Sequence, residues 1–243
     1  MAEDFSKIEW GTDDAKGDDR LPQYFVEIPN FRKLLNGKKR YVIGRKGTGK
    51  TAILERIRQY GDQYPDTWKV IYISLRDFPA IEFRNLREKQ FKDKAQLVNA
   101  WKFLILVELA RQVLLDRHAG PDKSLKLVRE FIESNFSSEV GFTDTVKRLV
   151  GRGGKVTVLT KFLNGELTAS SSSETFTTVQ FGVAGRRLEA LLKDIESVSH
   201  FYVLCDELDE GYTAGDQSHR WLILALLRSI EDLHLSLNGR KFN

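Results

Sequence analysis

Two short runs of residues have the types and spacing for chemistry on phosphate. The first is Gly44-Arg45-Lys46-Gly47-Thr48-Gly49-Lys50-Thr51, which fits the spacing of a glycine, four residues, then Gly-Lys-Thr. The glycines let the backbone curl so that successive N–H groups face phosphate oxygens. A helix that follows adds the positive end of its dipole. In this pattern Lys50 reaches the terminal phosphates as a binding and catalytic cation, and the Thr51 hydroxyl joins a Mg²⁺ shell. Ala52, the next residue, completes the candidate phosphate-binding set. The second run is Asp206-Glu207, at the end of the apolar stretch 200–205. An acid at the end of a buried strand can hold Mg²⁺, and a Glu beside it can take the proton of an attacking water. Asp206 is therefore the metal candidate and Glu207 the catalytic base.

Other chemistry-bearing residues have plainer readings. Asp209 and Glu210 extend the acidic run and read as a solvated loop. Cys205 reads as core packing, because no histidine pattern accompanies it. The glycine-rich run 151–155, with Arg152 and Lys155, lacks the full phosphate spacing and reads as a helix stop and turn. His118, His200, His219 and His234 have no metal-ligand spacing. A nucleic-acid surface built from Arg32, Lys33, Lys38, Lys39 and Arg40 competes with a solvated face.

These residues need elements to position them. Residues 40–44 read as a short buried strand ahead of the loop. Residues 51–60 read as the following helix, with Ala52, Ile53, Leu54 and Ile57 inward. The β-branched and aromatic run 69–75 predicts a second strand, and 200–205 a third. Residues 31–35 predict a short helix. Helices are expected over 91–119, 123–136, 186–197 and 217–235, with 101–115 apolar on most faces and so buried. The Thr- and Val-rich runs 156–160 and 175–181 predict a small β element, with Asn164-Gly165 as a hairpin turn and Ser170 to Ser173 as a loop. Residues 1–20 read as a flexible acidic leader, and 21–243 as one domain in which 76–199 is an insertion between the second and third strands.

Composition bounds the class. The chain has 243 residues, 41% hydrophobic and 30% charged, which excludes wholesale disorder. One cysteine excludes a disulfide framework. No apolar run reaches the ~18 residues of a membrane helix, and no secretory leader is visible, so a cytoplasmic protein without membrane contact is expected. The net charge is only +4, but 32–58 is a strongly basic block that should attract phosphate.

On the two motifs, 44–51 and 202–207, the chain resembles the P-loop NTPases. The adjacent Asp-Glu pair resembles the division with an added catalytic glutamate, which includes AAA+, STAND and RecA-like ATPases. The wording around Tyr41–Ala52 and Leu204–Tyr212 is similar to bacterial P-loop ATPases that often occur in anti-phage defence systems. The resemblance implies an α/β fold with a parallel sheet flanked by helices, and ATP and Mg²⁺ as ligands. It implies a large mainly helical insertion carrying the small β element. It also implies an ATPase that couples hydrolysis to conformational or assembly change, with a homo-oligomer or an effector protein as partner. The sequence departs in offering no candidates for two further core strands after Glu207, so the core is expected to be incomplete at its C-terminus. Arg220 and Arg228 are the candidates for an arginine acting in trans. Two alternatives remain: a non-hydrolysing nucleotide switch, and an ATPase motor directed by DNA.

Overall fold

A computed structural model describes residues 15–76, 78–79, 83, 94–136, 141–164, 176–209 and 215–237. The chain divides into two compact units, 1–65 and 66–243.

In the first unit the described helices are α1 (Leu21–Tyr24), α2 (Phe31–Leu35) and α3 (Lys50–Gln63). α3 buries Ile53 and Ile57 as its spacing predicts, while Ala52 and Leu54 are only half-buried. It also buries Glu55 and Gln59. Glu55 is tolerated because Arg58 pairs with it at 2.6 Å. Gln59 donates to the backbone carbonyl of Asp18 at 2.7 Å, and the Asp18 carboxylate accepts the Tyr24 hydroxyl and the Arg20 N–H. Asp18 is thus only 4% exposed. The expected loose leader therefore does not extend to residue 20; the part over 1–14 lies outside the described residues.

Residues 40–44 form no strand, which corrects the expectation of a buried one. Ile43 is 94% exposed and Tyr41 is 45% exposed. β-branched composition supplies a surface that fits a sheet, but a strand exists only where a neighbour takes up its N–H and C=O groups. No described strand pairs with this segment.

The second unit is mixed α/β. Strand β1 (Trp68–Ser74) is followed by α4 (Lys94–Leu114), α5 (Asp122–Asn135), α6 (Phe142–Gly151), β2 (Lys155–Leu159), α7 (Thr160–Asn164), β3 (Phe176–Gln180), α8 (Phe181–Asp194), β4 (His200–Asp206) and α9 (Gln217–Leu237). β1 and β4 pair in parallel from Trp68 opposite His200 to Ser74 opposite Asp206. These are the second and third expected strands, side by side despite the long excursion between them. The register is pinned at its start: buried Asp116 accepts the hydroxyls of Ser199, at 2.8 Å, and Ser197, and His200 N–H reaches the Thr67 carbonyl at 2.7 Å. Among the described residues no strand follows β4.

α4 is the core. Ala100, Trp101, Phe103, Leu104, Leu106, Val107 and Ala110 are fully buried, because α5, α8 and α9 pack around it. The Trp101 indole N–H, which would be costly to bury unpaired, donates to the Leu222 carbonyl at 3.1 Å. No helix of the described residues is long and apolar enough to cross a membrane.

β2 and β3 form the expected small sheet, antiparallel from Lys155 opposite Gln180 to Leu159 opposite Phe176. Asn164 ends α7; Gly165, the other residue of the expected hairpin turn, and Ser170 to Ser173 lie outside the described residues. Buried Asn135 closes one edge of the sheet, accepting Thr157 N–H at 2.8 Å and donating to its carbonyl at 2.6 Å. The run 151–155 is a helix stop, as read: Gly153 N–H and Gly154 N–H return to the carbonyls of Val150 and Leu149 at 2.9 Å each.

Candidate functional site

The phosphate-type loop lies in the first unit. Gly47 and Gly49 have φ of 82° and 81°, a region that costs other L-residues strain. These two inversions curl 44–49 back on itself. The Lys50 ammonium then lies across the curl, donating to the carbonyls of Gly44 at 3.0 Å and Arg45 at 2.9 Å. The Thr48 hydroxyl donates to Arg45 carbonyl at 2.8 Å. A Cβ at Gly44 would lie 2.5 Å from the Thr48 hydroxyl oxygen, so any larger residue there must displace that hydroxyl from the Arg45 carbonyl. Arg45 and Lys46 are exposed.

Gly49 is the N-cap of α3, with no side-chain cap and no acid in the first turn. The first hydrogen bond of the helix runs from Ile53 N–H to Gly49 carbonyl at 3.1 Å. The N–H groups of Lys50, Thr51 and Ala52 therefore have no intrahelical acceptor. The Thr51 side chain is half-buried. These residues fit a polyphosphate. Unpaired N–H groups sit at a helix start, and an ammonium with three protons spends two of them on the loop. No acid stands in the first turn of α3 to repel an anion.

The acid pair lies in the second unit, at the C-terminal end of the parallel ladder. Asp206 is 8% exposed. One of its oxygens accepts the Tyr72 hydroxyl at 2.7 Å and the other accepts the N–H of Glu207 at 2.8 Å. Glu207 has φ of 58°, positive for a residue that is not glycine. Such backbone strain persists where neighbours over-determine it. Arg76 reaches the Glu207 carboxylate at 2.6 Å, and the Ser74 hydroxyl donates to it as well. Ser74 in turn accepts the Arg76 N–H at 3.2 Å.

Next to this pair, Leu208, Asp209, His219, Arg220, Ile223 and Leu224 line an open groove of about 480 Å³. Asp209 is exposed, as its solvated-loop reading has it; Glu210 lies outside the described residues. Arg228 pairs with Asp232 at 3.1 Å on α9. Burial pushes the Cys205 thiol up to about 12, so it carries no thiolate at neutral pH and packs against the core.

The structure brings Lys50 to Gly44 and Arg45 in one unit, and Asp206 and Glu207 to Tyr72, Ser74 and Arg76 in the other. The latter three escaped the sequence reading. Their signal was the polar residues at the end of the second strand, which gain meaning only once that strand is known to neighbour β4. No group of three or more His, Cys, Asp or Glu able to hold a metal occurs among the described residues.

Comparison of the chain with protein-family models, with curated proteins and with solved structures returns no match.

Proposed function

We propose that this chain is a P-loop ATPase, binding Mg-ATP through Gly44–Thr51 and Ala52 and passing the energy of binding and hydrolysis to a conformational or assembly change. The observation that carries the reading is the curled loop at the start of α3, with two left-handed glycines and Lys50 laid across it. In this role the backbone N–H groups of the loop and first turn hold the phosphates, and Lys50 neutralises charge that builds on the terminal phosphates. Thr51 and Asp206 would hold Mg²⁺, which supplies charge neutralisation on the phosphate oxygens. Glu207 takes a proton from water as its oxygen attacks the γ-phosphorus. The bond from that phosphorus to the bridging oxygen breaks, leaving ADP and inorganic phosphate.

One observation favours the second reading, a nucleotide switch that does not turn over. Arg76 and Ser74 each engage one oxygen of the Glu207 carboxylate, so both oxygens already have protein partners in place of a water. A single pair of variants separates the two. Lys50→Ala should lose ATP binding in either case. Glu207→Gln should keep binding and lose phosphate release if the chain hydrolyses ATP. Undiminished nucleotide affinity in Lys50→Ala would refute both, and nucleotide-dependent assembly without phosphate release in the native chain would select the switch.

A further inference from the structure

The turn at 151–155 carries more positive charge than a helix stop requires. Lys147, Arg148, Arg152 and Lys155 fall within nine residues with no acid among them. All four are exposed. A helix C-terminus favours cations, which accounts for Arg148 and Arg152 at the end of α6. It does not account for Lys155, which is the first residue of β2. Arg152 donates to Asn135 at 3.4 Å, so its guanidinium lies by the edge of the small sheet. Lys147, Arg148 and Lys155 make no ion pair among the described residues, and Asp144, four residues before Arg148, does not pair with it.

Lys155 carries the cluster onto one face of the small sheet. In an antiparallel ladder opposed residues share a face. Val156 and Val158 are buried, so their face points to the core. The other face carries the rungs Lys155–Gln180, Thr157–Thr178 and Leu159–Phe176. Lys155, Gln180, Thr178 and Phe176 are exposed along it, Phe176 at 55%. At about 3.4 Å per residue these three rungs make a track about 14 Å long. Lys155 and the Gln180 amide stand at one end, the Thr157 and Thr178 hydroxyls in the middle, and the Phe176 ring beside the buried Leu159 at the other end. The backbone N–H groups of Gly153 and Gly154 are already bonded within the turn, so the attraction for phosphate comes from side chains.

We propose that this face binds single-stranded nucleic acid, with the backbone phosphates on Lys147, Arg148, Arg152 and Lys155 and a base stacked on Phe176. Four exposed cations against the single nearby acid Asp144 leave a net positive patch that matches a polyanion. The exposed ring on a flat polar strand surface suits an unstacked base, which a duplex or a membrane does not offer. None of its residues belongs to the nucleotide loop.

The test is fluorescence anisotropy of a labelled oligo-dT with the full chain, as a function of salt. Four neutralised phosphates give a slope of log K against log salt of about −2.8 for a single strand. Affinity then falls about 50-fold when salt is raised fourfold. Lys147→Ala with Lys155→Ala removes two unpaired surface cations without touching the fold. It should reduce that loss to about 7-fold. Phe176→Ala should weaken binding by roughly 5- to 150-fold at fixed salt. An unchanged salt slope in the double variant overturns the proposal and moves the contact to the basic block at 32–58. So does tighter binding to duplex DNA that ignores Phe176→Ala, or binding to anionic phosphatidylserine vesicles with none to the oligonucleotide.

Discussion

The strained backbone at Glu207 gives a prediction whose size follows from one angle. At φ of 58° a side chain with a Cβ costs roughly 1–2 kcal/mol over glycine. Glycine returns part of this, about 0.4–1 kcal/mol, through the entropy of its unfolded chain. Both Glu207→Ala and Glu207→Gly lose the contacts to Arg76 and Ser74, so comparing them cancels those terms. The glycine variant should therefore be more stable than the alanine variant by about 0.8 kcal/mol. For a chain of this size that is a rise in Tm of about 2–3 °C. Scanning calorimetry on the transition that includes β4 reads it directly. An alanine variant as stable as the glycine variant would refute the claim that position 207 is held in a strained conformation. It would also remove the reason to regard the end of β4 as a site where stability is given up for placement.

Other outcomes test the remaining parts of the account. Arg76 is 54% exposed, so its ion pair with Glu207 is worth only ~0.2–1 kcal/mol. If that pair must open before turnover, Arg76→Ala should raise phosphate release by at most about 5-fold; a fall instead means that Arg76 takes part in the chemistry. Asn135→Ala leaves the N–H and C=O of Thr157 unpaired at the sheet edge. It should cost about 2–3 kcal/mol, seen as a drop in Tm of about 4–12 °C. Glu108 sits in the core beside Arg111, 2.5 Å away. Burial raises its carboxyl above the ordinary value of 4.5, with Arg111 and Thr145 opposing. The folded state therefore holds that proton more tightly than the unfolded chain. The contribution of Glu108 to stability should fall as pH rises from 4.5 upward and is fully present only below it, while the lowered Asp18 and Glu189 act in the opposite direction. Glu108→Gln should flatten this slope in Tm against pH; an unchanged slope would show that Glu108 is not its source.

Much of the second unit was legible in the sequence. The run 69–75 and the run 200–205 alternate β-branched and aromatic residues with turns at their ends, and both became strands. The apolar stretch 101–115 predicts a buried helix, and α4 is that helix, while the pairing of Glu108 with Arg111 inside it follows only from how the neighbouring helices enclose them. The glycine run 151–155 read as a stop because it lacks the phosphate spacing, and its amides are used for that stop. Residues 40–44 were misread because composition cannot supply a ladder partner. Residues 15–20 depart from a loose leader because charge suggests solvent, while Tyr24, Arg20 and Gln59 enclose Asp18 only after α1 and α3 have formed.

Local chemistry determined the loop. Gly47, Gly49 and Lys50 are close in the chain, so their types alone dictate the curl and where the ammonium can reach. The surroundings of Asp206 and Glu207 were decided by tertiary structure, because Tyr72, Ser74 and Arg76 stand more than a hundred residues earlier. Only the parallel register that sets Ser74 opposite Asp206 brings those partners to the acid pair. A sequence records which side chains can bond; the pairing of two distant strands decides which of them meet.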